Sequence, residues 1–129
     1  MKKMICIIAI LLVVVVGGVF ESVVSSRFYR DIEKELINVN ELLQNENDEN
    51  FFEASLLIEK TVDKWQKREK ILLATAHHNI VHSFDEKLVM LKTVIECREY
   101  SDARMTCAGA IEMANYLAKE SKPTISNML

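Results

Sequence analysis

His77, His78 and His82 are the only histidines in the chain, and they share one short segment. His78 and His82 are four apart, the spacing that sets two imidazoles on one face of a helix within reach of a divalent metal. Asp85 or Glu86 is the nearest third ligand. The helical phase set by the preceding apolar residues puts His78 opposite their stripe, where water competes with the protein for a metal. Ser83-x-x-Glu86 matches a capping box, which predicts a break or bend between His77 and Ser83 and an interrupted ligand face. The spacing favours polar histidines at a helix junction. His78 and His82 stand as the metal candidates, with a pH-sensing role as a further alternative because free imidazole titrates near pH 6.5. No cofactor is expected.

Cys97 and Cys107 lie either side of Asp102, as cross-hairpin partners would. Their phases diverge, because Cys107 falls on a packing stripe while Cys97 sits roughly 140–150° from the Phe84, Leu88, Leu91 and Ile95 face. A disulfide needs Cα atoms within about 7 Å and converging Cβ vectors, so free thiols are expected. Cys6 lies inside an apolar run too near the start of the chain to be an acylation site. Lys60, Lys64, Lys67 and Arg68 form a basic stripe interleaved with Glu59, Asp63 and Glu69. It reads as a solvated helix face with pairs such as Asp63–Lys67, or as a contact for anionic headgroups or wall polymers. No nucleophile–base arrangement, G-x-S-x-G elbow or phosphate loop is present, so an enzyme is not expected.

The elements that must position these residues are helical: the expected fold is all-α, with an N-terminal transmembrane helix continuing into a small antiparallel helical bundle that ends in an αα-hairpin. The chain has 129 residues with three Gly and one Pro. It lacks glycine-rich turns and alternating β-branched runs beyond residue 24. Phe28, Ile32, Leu36, Val39 and Leu43 recur at spacings of three and four, which predicts a helix that stops at Asn45-Glu46-Asn47-Asp48-Glu49-Asn50. Asn50 with Glu53 predicts the next helix start, carrying Phe51, Ala54, Ile58, Val62, Trp65, Leu72 and Ala76. Phe84, Leu88, Leu91 and Ile95 mark a third helix. A turn near Glu99 to Asp102 leads into a fourth, with Ala103, Cys107, Ala110, Ala114 and Leu117. The core is therefore expected to include Trp65, Leu72, Phe84, Leu88, Leu91 and Ile95. The last two helices form an αα-hairpin docked on the long second helix. Lys122-Pro123 ends the last helix, and Ile125, Met128 and Leu129 are expected in an extended tail against the bundle.

Location follows from the first residues. Lys2-Lys3 precedes an uncharged run from Met4 to Phe20, and Glu21 is the first acid. As a helix the run reaches roughly 26 Å, and extending it to Val24 matches the ~30 Å hydrocarbon core of a bilayer. The run exceeds a signal-peptide core, and Val16-x-Gly18 is a weak cleavage site. An uncleaved anchor is favoured, with secretion after cleavage as the alternative. Lys2 and Lys3 favour a cytoplasmic N-terminus. The expected organisation is a cytoplasmic stub (1–3), a transmembrane anchor (4–24), a juxtamembrane amphipathic helix (25–44), a loop (45–50) and an extracytoplasmic helical domain (51–129). Of the 16 Lys and Arg, Lys2 and Lys3 precede the anchor, leaving 14 against 19 Asp and Glu. That mildly acidic balance argues against a nucleic-acid partner.

Several residues carry a family resemblance. Trp65 is followed by a Lys-rich turn and an apolar run to His78, then Val81, Phe84-Asp85, Leu88, Leu91-Lys92 and Ile95-Glu96. A charged turn, Ala103 and a tail ending Ile125-x-Asn127-Met128-Leu129 complete the pattern. It resembles the domain of unknown function 4363 family, whose members are small, begin with one membrane segment and occur mostly in Gram-positive, often spore-forming, bacteria. The chain departs from that pattern at His77, where an acid is usual, and at Val81 and Phe84 in place of isoleucines. Its last helix is also richer in Ala and Cys. The resemblance implies an all-α, single-pass architecture and brings no activity. The expected role is a non-enzymatic module that meets the bilayer through residues 4–24 and an unidentified protein partner through its helices. The alternatives are a metal or pH sensor using His78 and His82, or a self-associating protein joined through the Phe28 to Leu43 stripe.

Overall fold

The computed structural model describes the backbone of residues 1–75 and 78–121, and the side chains in those ranges apart from 71–75 and 78. Four helices make up this part: α1 (Lys2–Gln44), α2 (Asp48–Thr75), α3 (His78–Glu96) and α4 (Tyr100–Glu120). Helix α1 runs without interruption from the apolar run into the amphipathic stretch. An 18-residue window of it has mean hydropathy 2.8 with none of it buried, which makes it long and apolar enough to cross a membrane. The remainder is an antiparallel four-helix bundle in which α1 packs on α2 and α4, α2 on α3, and α3 on α4.

The core follows from the apolar spacing. Tyr29, Ile32, Leu36, Val39 and Leu43 come from α1, and Phe51, Ala54, Ile58 and Trp65 from α2. Val81, Phe84, Leu88, Leu91 and Ile95 come from α3, and all of these are buried. Helix α4 contributes Ala103, Cys107, Ala110, Ala114, Leu117 and Ala118. Small side chains there let α1 and α4 approach closely enough for two short side chains to reach the opposite backbone, besides the longer Arg104 bond to the Leu43 carbonyl. Ser26 Oγ donates to the Ala118 carbonyl at 3.0 Å, and Cys107 Sγ to the Leu36 carbonyl at 3.3 Å.

Several boundaries differ from the sequence reading. The first loop is shorter than residues 45–50, because α2 starts at Asp48. Asn47, not Asn50, supplies the capping oxygen: its Oδ1 accepts the Asn50 N–H at 2.7 Å. Asp48 and Glu49 in the first turn suit the positive end of the helix dipole. Ser83 caps nothing. It lies inside α3, and its hydroxyl bonds back to the Asn79 carbonyl at 2.8 Å, one turn earlier. The third turn falls at residues 97–99, ahead of the expected Glu99–Asp102. It closes as a Schellman motif, with Glu99 N–H on Val94 O and Arg98 N–H on Ile95 O. Arg98 holds the left-handed position of that motif, at φ 57°.

Two further points concern α1. Residues 25–44 continue the apolar run into the bundle and form one wall of it, as expected, since their stripe is buried against the other helices. The C-terminal hairpin accordingly docks on α1 through α4 as well as on α2 through α3. The Phe28 to Leu43 stripe is thereby closed inside the chain, which removes the apolar seam that self-association through it required.

Candidate functional site

Four aromatic rings and several buried polar groups meet at the end of the bundle nearest the apolar run, while Thr61 and one Glu35 carboxylate oxygen are buried farther along. Phe28 and Tyr29 from α1 lie beside Trp65 of α2, with ring centroids 6.1 and 6.2 Å away. Phe84 of α3 meets the same indole edge-on at 4.7 Å. Trp65 is completely buried, and its Nε1–H donates to Asp85 Oδ1 at 2.9 Å. One side chain thus joins three helices, through its faces and edge to two of them and through its N–H to a carboxylate on α3. Buried indole nitrogens need such a partner, and Asp85, one position after Phe84, lies where it can reach.

Around this joint sit groups without full satisfaction. The Arg68 guanidinium lies 5.1 Å from the Phe28 ring centroid, a cation–π contact. Its Nε is buried with no hydrogen-bond partner, as is the Tyr29 hydroxyl. Burial pushes the Tyr29 phenol up to about 12, and the nearby Arg68 charge opposes that rise. Burial likewise raises the Glu69 carboxyl, helped by the charge of Asp85 and a hydrogen bond with it, while His82 works the other way. The arrangement binds helices together and concentrates charge, but it presents no activated nucleophile.

His82 is exposed and stands 3.4 Å from Glu86 one turn on, so its described neighbour is an acid of its own helix. The side chains of His78, Leu72 and Ala76, and all of His77, lie outside the described residues, as does the tail from 122 onward. Among the described residues no group of three or more His, Cys, Asp or Glu is placed to hold a metal. Trp65, Phe84, Leu88, Leu91 and Ile95 are all in the core. Cys97 is exposed and Cys107 buried, both as free thiols, and burial lifts the Cys107 thiol to about 12.

The basic stripe divides. Lys64 meets Glu35 of α1 at 3.7 Å and Lys67 meets Asp63 at 3.0 Å, while Arg68 turns onto Phe28. Lys60 borders an open groove of about 420 Å³ between α2 and α3, together with Leu56, Glu59, Asp63, Gln66 and Lys92. Its lining mixes both charges and contains no reactive pair. Sequence reasoning missed Tyr29 and the Trp65–Asp85 bond. Tyr29 was within reach of the pattern, because Tyr29, Ile32, Leu36, Val39 and Leu43 also recur at three and four. The bond was not, because it joins residues 20 apart on separate helices.

A family model described as a domain of unknown function (DUF4363) matches residues 21–128. The chain belongs to that family. No curated protein and no solved structure matches it.

Proposed function

We propose, with membership of a family of undefined role as the premise, that the chain is a membrane-anchored, extracytoplasmic helical module. Its α1 residues 4–24 span the cell membrane with the N-terminus inside, and its bundle presents a protein-binding surface outside. The observation that carries this reading is the unbroken α1, whose first half has its apolar side chains exposed and whose second half is a wall of the core. A span followed by a flexible linker would leave the domain free to drift. One continuous helix holds the bundle upright against the surface, a mounting that suits a scaffold component. Exposed Phe52, Met90, Met105 and Tyr116 on α2, α3 and α4 offer apolar area for a partner. The Trp65–Asp85 bond at the near end goes into joining helices, which supports a binding role over a catalytic one.

The cysteines give a direct test. Cys97 is exposed at the far turn and Cys107 is buried, so in a Cys6→Ser variant only Cys97 should react with a membrane-impermeant maleimide. Labelling of intact cells, with the protein resisting alkaline extraction and keeping its N-terminal Met-Lys-Lys, is the expected outcome. Labelling only after permeabilisation would reverse the orientation. A mature chain starting beyond residue 16 would replace the anchor with a cleaved signal.

A further inference from the structure

We propose that the end of the bundle facing the apolar span docks on the anionic headgroups of the lipid layer, with Arg68 as a fixed phosphate contact and Arg27, Arg30, Lys70 and Lys119 as movable ones. The proposal deepens the reading above and rests on it, since it takes residues 4–24 to cross a bilayer.

Height along α1 places these residues. Counting from Val24 at about 1.5 Å per residue, Arg27 lies about 4.5 Å and Arg30 about 9 Å beyond the span. Arg68 is level with Phe28, the ring it rests on. Lys119 follows Ala118, whose carbonyl is bound by Ser26, and Lys70 lies two residues further down α2 than Arg68. The headgroup layer is roughly 5–7 Å deep on each side of the hydrocarbon, so all five cations fall in or beside it. Helix α2 continues to Thr75, about one and a half turns closer to the span than Lys70, through the uncharged sequence Ile71-Leu72-Leu73-Ala74.

Height, and not pairing alone, sets these cations apart, since among the described residues Lys34, Lys60, Lys87 and Lys92, farther from the span, also lack an acid within 4 Å. Lys64, Lys67, Arg98 and Arg104 each have an acid of the chain within 4 Å. Among the described residues, Arg27, Arg30, Arg68, Lys70 and Lys119 make no such pair. The acids of the same layer are Glu21, Asp31 and Glu120, which are exposed, and Glu69 and Asp85, which are half-buried. Glu69 is turned to Asp85.

Arg68 is the fixed member because Phe28 holds one face of its guanidinium while its Nε is enclosed without a partner. A planar fork fixed in this way suits the oxygens of a phosphate, which it can bind through two parallel hydrogen bonds. The neighbouring Tyr29 hydroxyl, also enclosed and unpartnered, adds no competing carboxylate. Juxtamembrane cations gain from an anionic leaflet only within about a Debye length of it, which this height satisfies.

The test places the full-length chain in nanodiscs of phosphatidylcholine, alone or mixed with phosphatidylglycerol, and follows thermal unfolding by the helical circular dichroism signal. The melting temperature should rise by about 5 °C or more in the anionic discs, and the rise should shrink in added salt. Arg68→Gln should remove most of the rise, whatever it does in neutral discs, and Arg104→Gln at the far end should leave it intact. If Arg68→Gln does not fold, the double variant Arg27→Gln/Lys119→Gln must lower the rise instead. Equal melting in both discs overturns the proposal, as does a rise that survives these substitutions. A rise of the same size from inorganic phosphate in neutral discs, at matched ionic strength, overturns the lipid assignment in favour of free phosphate. Incorporation is measured separately by co-migration with the discs. A chain that is not incorporated fails the anchor reading and this proposal with it, whereas an incorporated chain indifferent to lipid charge fails the headgroup proposal alone.

Discussion

At the far end of the bundle the two arginines find partners within the chain. Arg98 lies 3.6 Å from Asp48, and Arg104 donates to Glu46 at 3.0 Å and to the Leu43 carbonyl at 3.3 Å. Phe51 and Tyr100 close that end with ring centroids 4.5 Å apart. At the near end Arg68 rests on a ring with no acid beside it, and a tyrosine hydroxyl is enclosed without a partner. The far end closes with short-range pairs across its turns, most of them in water, where such pairs add little. The near end closes through one indole of α2 that touches both α1 and α3, in a dry setting where each polar partner matters more. Stability is therefore expected to be concentrated near the apolar run, and sensitivity to the surroundings with it.

The largest break in this comparison should come from Trp65→Ala. Emptying a fully buried site among Phe28, Tyr29 and Phe84 is expected to lower unfolding free energy by about 3–5 kcal/mol in urea titrations followed by helical signal. Arg104→Ala, which removes the main polar tie of the far end, should lose about 1 kcal/mol or less. If the two losses are alike, the near end is not the keystone of the bundle.

Asp85→Ala sharpens the same contrast. It leaves the Trp65 N–H buried with nothing to accept it, which should lower stability by about 1–3 kcal/mol. Asp85→Asn keeps an oxygen that can accept and should recover most of the loss. Equal damage from both variants would show that the carboxylate charge matters more than the indole bond.

The same contrast decides how much of the molecule was legible in its sequence. The helices and the core stripes were readable because spacing of three and four is a local property, and Phe51, Ile58, Trp65, Leu88 and Ile95 lie in the core where that spacing put them. Turn positions slipped by two or three residues because Asn47 and Asn50 offer competing caps and the hydrogen-bond geometry decides between them. Ser83 misled for a related reason, since its hydroxyl is satisfied equally well by a carbonyl one turn back. What α1 packs against was illegible, because an amphipathic stripe says that a face is buried and not by what. The near-end site was hidden for the same reason: Arg68 looked like a member of a charged stripe until Phe28, 40 positions away, came to lie beneath it. Contacts between distant positions leave no period in a single sequence.

The smallest expected effect is a pH dependence at the near end. The Glu69 carboxyl is raised above its ordinary 4.5, first by burial and then by Asp85 across the α2–α3 contact, with His82 opposing. A raised folded value means that the folded state holds the proton more tightly than the unfolded chain. The stabilisation is thus fully present below pH 4.5 and is lost as pH rises through the folded value. Above that window an ionised Glu69 faces the Asp85 charge in a partly dry site. Glu69→Gln cannot ionise, so relative to the native chain it should gain stability as pH climbs from 4.5 and show a constant difference below it. The imidazole of His82 opposes the rise at Glu69, so His82→Gln should make the native chain lose more on the way up. Denaturation midpoints measured across that range decide the point. A difference between Glu69→Gln and the native chain that does not move with pH would mean that folding does not raise the Glu69 carboxyl, and that the near end differs from the far end in its packing alone.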